Sequence, residues 1–311
     1  AVGAVAAPLP SSAGVAEVDD VVTRTSAQGV LVDQPLDLSA AAQVVRLGAL
    51  ESWDGSDAGL PAAAASPAAD EVADLMFTSG TTGRPKGVMN SANTKLAGLR
   101  GFLAEHPITP SDVVGVLPPM SHNAGWLYTV LPAIASHATM VSVGRGDPTA
   151  MLDRMERHGV SVAFMVPTHL RDLVSTYRAF LGRWQLRLRL VITGAAPAQE
   201  PIVRAAVEDW GITLVSMYGM TECQGLTFTR ADDPVEVVAT TVGAPCPGAR
   251  VALRDPSTGS VIDTDGVAGE VVARGPLIFL GYYEDEAATR QALTPDGWLL
   301  TGDLGQWAEG R

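Results

Sequence analysis

Apolar strands alternate with amphipathic helices through the middle of the sequence, and this alternation is the strongest constraint on the fold. Continuous apolar runs such as VSVAFMV and LRLVITG are typical of strands that are buried on both faces. Between such runs, amphipathic stretches predict helices over residues 148–158, 167–180 and 198–210. Strands and helices in this order form parallel sheets with helices on both faces. The predicted fold class is therefore α/β.

The amino-terminal region predicts a shorter version of the same alternation. An apolar strand at the start of the chain precedes a helix near residues 16–27, a strand at 29–33 and a helix at 38–50. Residues 54–70 are rich in Ala, Gly, Pro, Ser and Asp, which is typical of a surface connection. We therefore predict a partial first α/β subdomain with a linker over residues 1–70.

The pattern changes twice more along the chain. A strand at 72–78, a Gly/Thr loop and a helix at 91–105 open the second predicted subdomain, which covers residues 71–242. Over residues 243–311, short strands are separated by many turn residues. This pattern predicts a small antiparallel β-barrel-like subdomain after the parallel sheets.

The segment Val113–Gly144 contains no Asp, Glu, Lys or Arg, so its length alone would allow a membrane span. Pro118, Pro119 and Pro132 break a helix, and His122 adds a polar group that lipid cannot satisfy. The sequence therefore predicts no membrane span here, but a buried strand, a loop and a buried helix beneath a pocket.

Charge and cysteine content exclude several classes of protein. The chain has 34 acidic and 21 basic residues, and the basic residues form no cluster, so neither nucleic acid nor an anionic membrane is an expected partner. The two cysteines, Cys223 and Cys246, lack the spacing of a disulfide framework or a metal site, which favours a reducing, cytoplasmic location. The apolar start lacks both an initiator Met and the charged region of a signal peptide, so we expect it to come from inside a longer protein.

The string LMFTSGTTGRPKGVM, residues 75–89, is the clearest candidate binding site. A buried strand runs into glycines that let the backbone approach an oxyanion, while the hydroxyls donate hydrogen bonds and Lys86 adds a positive charge. The string does not fit the P-loop pattern, because Gly87 follows the lysine where a metal-binding hydroxyl is required. A surface turn is the alternative, but the pattern favours a polyphosphate site. Its residues are Thr78, Ser79, Gly80, Thr81, Thr82, Gly83 and Lys86.

Five further motifs follow this loop. They are PPMSHNAG (118–125), ITGAAP (192–197), VSMYGMTE (215–222), GEVVARGPLIFLGYY (269–283) and GWLLTGD (297–303). With the loop, and in this order, they resemble the motifs of the adenylate-forming superfamily, and most of all its acyl-CoA synthetase branch. The resemblance implies ATP-dependent conversion of a small carboxylic acid to an acyl-adenylate, followed by transfer to coenzyme A. The implied cofactors are ATP, Mg²⁺ and coenzyme A.

The resemblance also implies roles for residues at the phosphates. The loop and Lys86 would hold the β- and γ-phosphates, Thr221 would donate to the α-phosphate, and Glu222 would hold Mg²⁺. These three residues are the implied catalytic set. Because a carboxylate beside a polyphosphate needs a cation between them, the metal is a physical requirement of this placement.

At the nucleoside, the resemblance implies that Tyr218 stacks on adenine and Asp303 accepts hydrogen bonds from the ribose hydroxyls. Taken singly, the tyrosine could be a core aromatic and the aspartate a turn residue. Backbone would approach the base edge at the ITGAAP motif. The remaining residues of the implied nucleotide site are Gly194, Ala195, Ala196, Gly219 and Met220.

His122, Asn123 and Trp126 are the candidates for the wall of an acyl pocket. A carboxylic acid is already ionised near neutral pH, so the first half-reaction needs no general base and His122 is assigned to pocket lining. Trp126 could equally belong to the core. An amide beside a histidine also occurs in aryl-acid activating members of the superfamily, where it can meet a ring hydroxyl. Cys223, although next to Glu222, is interpreted as a small packing residue.

The chain departs from the family pattern at its end. Its only lysines are Lys86 and Lys95, whereas the family has a catalytic lysine in a mobile C-terminal lid domain after the TGD motif. We therefore expect an N-terminal body without that lid, which binds ATP or an acyl-adenylate weakly and catalyses adenylation poorly. The favoured function is a ligase of fatty, medium-chain or alicyclic acids. An aryl-acid or carrier-protein-loading enzyme and a nonenzymatic nucleotide-binding fragment remain as alternatives, and the sequence does not predict the oligomeric state.

Overall fold

The computed structural model of the protein describes residues 4–32, 38–39, 43–46, 68–78 and 85–309. Most of the predicted connection at 54–70 and the residues 79–84 of the predicted phosphate loop lie outside the described residues.

The amino-terminal region contains a helix and two strands. These are α1 (Val15–Thr25), β1 (Gly29–Val32) and β2 (Gln43–Arg46). The strands pair in parallel, with Gly29 opposite Gln43 and Val32 opposite Arg46. The helix predicted at 38–50 is therefore wrong over β2, where two β-branched valines and the pairing with β1 favour a strand. Of the strand predicted at the start of the chain, the part from residue 4 onward forms one parallel bridge, between Ala6 and Asp74.

A hairpin and a helix follow. The hairpin consists of β3 (Val72–Thr78) and β4 (Lys86–Ser91), and α2 (Ala92–Glu105) comes directly after it. The hydroxyl of Ser91 accepts a hydrogen bond from the Thr94 amide and thereby caps the helix. The sequence predicts β3 and α2 but not β4, whose residues KGVMNS lack a simple alternation of apolar and polar positions.

The central sheet contains seven strands within the described residues. In chain order they are β5 (Val113–Val116), β6 (Thr139–Ser142), β7 (Val162–Phe164), β8 (Leu190–Gly194), β9 (Thr213–Met220), β10 (Gln224–Phe228) and β11 (Ala244–Pro245). Their spatial order is β6, β5, β7, β8, β9, β10, β11; the first five are parallel, and β10 and β11 are added antiparallel. The chain leaves β5 for β6 on one side and returns to β7 on the other, so the strand order reverses at β5.

Helices cover both faces of this sheet. Between β5 and β6 lie α3 (Asn123–Gly125), a π-helix (Trp126–Val130) and α4 (Leu131–Ala135), and the later connections contain α5 (Pro148–His158), α6 (Pro167–Ala179), α7 (Glu200–Trp210) and α8 (Val235–Thr240). Met155, Leu170 and Val203 pack in the core on one face, and Phe102 and Tyr128 pack in the core on the other. The predicted α/β class with two covered faces is confirmed. No helix among the described residues is long and apolar enough to cross a membrane.

The last part of the chain forms an antiparallel sheet, as the sequence predicts. Its described strands are, in spatial order, β13 (Val261–Ile262), β12 (Arg250–Arg254), β14 (Ala268–Arg274) and β16 (Leu299–Gln306). Between β14 and β16 the chain forms β15 (Gly281–Tyr282) and α9 (Glu286–Ala292). Strand β15 pairs antiparallel with β4, which brings Tyr282 opposite Val88, two residues from Lys86.

Candidate functional site

Glu222 lies in the tight turn between the antiparallel strands β9 and β10 and is only 6% exposed. Its Oε1 accepts a hydrogen bond of 2.8 Å from the hydroxyl of Tyr282, and its backbone oxygen accepts one of 2.8 Å from the amide of Phe279. A side chain at Gly219 would lie 1.9 Å from the carbonyl oxygen of Gln224, so the turn requires glycine there. The fold thus places a buried carboxylate against strand β15.

Lys86 is the first residue of β4 and pairs in register with Thr78, the last residue of β3. Its Nζ lies 4.8 Å from the ring centroid of Tyr282, a cation–π distance. Tyr282 therefore contacts the predicted phosphate lysine with its ring and the predicted metal ligand with its hydroxyl. Burial raises the pKa of the Tyr282 phenol, and Glu222 raises it further, so the hydroxyl remains a donor at neutral pH.

Tyr218 and Asp303, which the sequence assigns to one nucleoside, are in direct contact. The hydroxyl of Tyr218, on β9, donates a hydrogen bond of 2.7 Å to Oδ2 of Asp303, on β16. Burial raises the pKa of the Tyr218 phenol. Its partner Asp303 is exposed. A half-buried tyrosine whose hydroxyl meets an exposed carboxylate is better suited to a nucleoside site than to a closed core.

The ITGAAP motif lies beside this pair. Strand β8 ends at Gly194, where a side chain would come within 2.8 Å of the carbonyl oxygen of Met217, the residue before Tyr218. Ala195 has a φ of 70°, a left-handed conformation that is strained for a residue with a Cβ atom. Ala195 and Ala196 are exposed, so their backbone is accessible next to Tyr218.

The remaining predicted nucleotide residues fall into two groups. Met220 and Thr221 lie in the turn with Glu222 and are half-buried. Ser79, Gly80, Thr81, Thr82 and Gly83 lie outside the described residues, so their role stays a prediction, although both ends of the loop meet at the Thr78–Lys86 pair.

Magnesium fits this site only together with a nucleotide. In the described part of the chain, no group of three or more His, Cys, Asp or Glu residues could hold a metal ion. Mg²⁺ at nucleotide sites is held by one or two carboxylates plus phosphate oxygens and water, and one buried carboxylate is what Glu222 offers. The donor set therefore suits Mg²⁺ that arrives with the phosphates.

His122 lines a cavity of about 450 Å³ at the carboxyl ends of β5, β6 and β7, where the strand order reverses. Such crevices are the usual ligand sites of open α/β sheets. Its walls are mostly apolar but include Arg145 and His169. Burial, assisted by Arg145, lowers the pKa of both His122 and His169, so both imidazoles are neutral at pH 7.

The cavity lining does not include the other two predicted acyl-pocket residues. Asn123 instead hydrogen bonds to Lys95 and Gln224, and Trp126 begins the π-helix and is half-buried. Both cysteines are free and buried, and burial raises the pKa of Cys223 to about 12, which agrees with a packing role.

One tyrosine contacts both a buried carboxylate and a lysine, and a tyrosine–aspartate pair lies beside them at the edge of an open α/β sheet. These are the features of a nucleotide-using enzyme of the adenylate-forming class. The chain belongs to the family of AMP-binding enzymes, whose model matches residues 1–283. The resemblance drawn from the motifs is thus confirmed.

Curated relatives of the chain are acyl-CoA ligases. It is 34% identical over 246 residues to the 3-[(3aS,4S,7aS)-7a-methyl-1,5-dioxo-octahydro-1H-inden-4-yl]propanoyl:CoA ligase of Mycobacterium tuberculosis, with 78% of this chain and 46% of that protein covered. It is 30% identical over 235 residues to the medium-chain fatty-acid–CoA ligase of Escherichia coli, with 76% and 41% covered. The chain thus spans about half the length of the curated relatives it matches.

Solved structures agree with this assignment. The ATP-bound MatB from Rhodopseudomonas palustris superposes with a TM-score of 0.84 at 28% identity, over 99% of this chain and 62% of that one. The fold described above is therefore that of an adenylate-forming enzyme.

Proposed function

We propose that this chain is the nucleotide- and acid-binding body of an AMP-forming acid–thiol ligase. In this reaction an acid carboxylate attacks the α-phosphorus of ATP, the bond to the bridging oxygen breaks, and pyrophosphate leaves. The acyl-adenylate then passes its acyl group to the thiol of coenzyme A and releases AMP. The observation that carries the proposal is the contact of Tyr282 with both Lys86 and Glu222.

At the phosphates, the ammonium of Lys86 would neutralise charge that builds up on the departing pyrophosphate. Glu222 and the phosphates would hold Mg²⁺, which supplies further neutralisation of the phosphate oxygens when it is bound. The hydroxyl of Tyr282 keeps the Glu222 carboxylate in one orientation. Thr221, beside Glu222 in the same turn, would donate to the α-phosphate.

At the nucleoside, Asp303 would accept hydrogen bonds from the two ribose hydroxyls, and its exposure leaves room for them. The Tyr218 hydroxyl already fixes one oxygen of that carboxylate. The tyrosine ring would flank adenine, with the exposed backbone of Ala195 and Ala196 at the base edge.

For the acid, we propose a fatty, medium-chain or alicyclic substrate, since relatives of this chain are named for acids of these kinds. His122 is the proposed pocket residue in this cavity, whose mostly apolar walls suit such organic groups. Asn123 and Trp126 do not line the cavity, so their proposed place in the acyl pocket rests on the motif alone. Because the substrate carboxylate is already ionised, the neutral imidazole of His122 orients or lines rather than abstracts a proton. The free, buried cysteines support a reducing, cytoplasmic setting.

The test is a panel of fatty, alicyclic and aryl acids with ATP and Mg²⁺, scored for pyrophosphate release and for acyl-AMP by mass spectrometry, with and without coenzyme A. We expect acid-dependent pyrophosphate release and an acyl-CoA product from the protein that contains this chain. Acyl-AMP that transfers only to a carrier protein would favour the carrier-loading alternative. Nucleotide binding with no acid-dependent pyrophosphate release would favour a nonenzymatic function.

A further inference from the structure

The second lysine of the chain, Lys95, is buried in α2, although the proposed chemistry gives it no role. Its side chain is 6% exposed, and its Nζ lies 2.8 Å from Oδ1 of Asn123 and 3.4 Å from Oδ1 of Asp74. A further contact of 3.6 Å reaches the sulfur of Met76. The three donors of the ammonium therefore all face groups inside the protein.

These contacts belong to a closed circuit of side chains. Asn123 donates to Oε1 of Gln224 at 3.0 Å, and Gln224 donates to Oδ1 of Asn90 at 2.8 Å. Asn90 donates to Oδ1 of Asp74 at 3.1 Å, and the Lys95–Asp74 contact closes the circuit. We call these five residues, Asp74, Asn90, Lys95, Asn123 and Gln224, the polar ring.

The charges of the polar ring fix the direction of its amides. Each of the three amides accepts a hydrogen bond from the side of Lys95 and donates one toward Asp74. If one amide were turned round, donors would face donors and acceptors would face acceptors, which is costly in a buried site. Asn123 therefore presents its oxygen to Lys95 and its amino group to Gln224.

The polar ring joins the parts of the proposed site. Asp74 and Asn90 lie on β3 and β4, the strands at the two ends of the predicted phosphate loop. Gln224, the first residue of β10, comes two residues after Glu222 and directly after its turn, and Asn123 follows His122 of the cavity wall.

Gln224 is the member under most constraint. Its φ of 57° is a left-handed conformation that disfavours residues with a Cβ atom, and Asn90 and Asn123 hold its side chain from both sides. A side chain at Gly98 of α2 would lie 3.2 Å from its Cβ, so the helix packs closely against it. The polar ring thus holds a strained residue at the base of the turn that contains Glu222.

Stability does not account for the charged members of the polar ring. Burial raises the pKa of Asp74 and lowers the pKa of Lys95, in each case against the attraction of the partner. Buried ion pairs of this kind are often no more stabilising than apolar groups of the same volume. An ion pair that adds little stability but fixes the direction of three amides is suited to positioning the segments that those amides join.

We propose that Lys95 is a positioning residue for adenylation. Through the polar ring it fixes the position of the turn that contains Glu222, and of the Asn123 amide, relative to the β3–β4 hairpin. This inference rests on the proposed function of the same site. Lys95 itself would touch neither nucleotide nor acid.

The test uses the protein that contains this chain, and compares its wild type with Lys95→Met and with the double variant Asp74→Asn/Lys95→Met. The single variant leaves Asp74 buried without its cation and is expected to unfold more easily. The double variant has no charge left in the polar ring, so it is expected to fold. An exposed ion pair far from the ring provides the control, Arg178→Met/Asp209→Asn.

Three measurements test the positioning role. In the double variant, amide hydrogen exchange should be faster across residues 220–226 but unchanged in α6. In acid-dependent ATP–pyrophosphate exchange, its kcat should fall at least tenfold and its half-saturating Mg²⁺ concentration should rise at least threefold, because Glu222 is no longer held in place. The affinity for AMP, which depends on Tyr218 and Asp303, should change less than twofold. The control pair should match the wild type in all of these measurements.

Unchanged hydrogen exchange in the turn would overturn the proposal, and so would faster exchange with kcat and Mg²⁺ dependence within twofold of the wild type. A wild type with no acid-dependent pyrophosphate exchange would instead refute the proposed function, and the positioning role would fall with it.

Discussion

Glu222→Gln should separate the stability of the fold from the chemistry of the site. The carboxylate is 6% exposed, and its described side-chain partner is the neutral hydroxyl of Tyr282. The amide oxygen of glutamine can accept that same hydrogen bond, so the substitution removes a buried charge without removing the contact. We therefore expect the free protein to be equally stable or more stable, by about 1 kcal/mol and about 2 °C in Tm.

The same substitution should abolish the response to magnesium. Loss of a charge that stabilises phosphate oxygens costs roughly 100-fold or more in rate, so acid-dependent pyrophosphate exchange should fall by at least that factor. In scanning calorimetry, ATP with Mg²⁺ should raise the Tm of the wild type more than ATP alone, and the two should have the same effect on the variant. Glu236→Gln, on an exposed residue of α8, is the matched control.

Two results would contradict this role of Glu222. The first is a loss of more than about 2 kcal/mol in the free energy of unfolding, which would mean that the charge stabilises the fold. The second is exchange activity within threefold of the wild type, which would remove Glu222 from the reaction.

Three further predictions concern stability and nucleotide affinity. Burial and Arg230 lower the pKa of His106 to about 4, and neither of its ring nitrogens has a hydrogen-bond partner in the described part of the chain. Because the unfolded histidine has a pKa of about 6.5, wild-type stability should fall as the pH drops from about 6.5 to about 4. At pH 5, His106→Leu should remove about 2 kcal/mol of this loss in the free energy of unfolding, measured by urea titration, whereas His158→Leu, at an exposed residue, should not. Parallel pH profiles of stability for the wild type and His106→Leu would contradict this. Asp303→Asn should weaken AMP binding roughly tenfold by calorimetry while Asp296→Asn does not, and equal affinities would exclude Asp303 from the ribose site. Gly219→Ala should destabilise the fold by about 2 kcal/mol or more in denaturant titrations, because its Cβ would lie 1.9 Å from the Gln224 carbonyl. Gly14→Ala, at the N-cap of α1 with nothing within 4 Å, should cost about 1 kcal/mol or less.

Elements with local signals could be predicted from the sequence. Helix α5 begins and ends where the sequence predicts, because Asp147 caps it, Pro148 occupies its first turn and Gly159 adopts the left-handed conformation after it. Strands β2 and β4 could not be predicted, because each depends on a partner strand. The pairing of β4 with β15 joins residues almost 200 positions apart, and no local pattern reports it.

The candidate site likewise contains residues that local motifs predict and contacts that only the fold creates. Tyr218, Glu222 and Asp303 lie in short motifs, and the structure brings the first and last of them together over 85 residues. Tyr282 lies in a quoted motif, but its contacts with Lys86 and Glu222 depend on strand β15.

The polar ring joins residues as far as 134 positions apart, so its geometry could not be derived from the sequence. The available signal was the small and apolar run at 96–99 directly after Lys95, which could have indicated a buried, paired cation.

Calorimetric titration of the purified chain with ATP tests whether Tyr218, Glu222 and Asp303 form a nucleotide site. We expect saturable binding that Mg²⁺ strengthens in the wild type. Binding should be at least tenfold weaker in Tyr218→Ala and in Asp303→Ala, but with an unchanged response to Mg²⁺ in both. Absence of ATP binding, or binding that neither Mg²⁺ nor these substitutions alter, would contradict it.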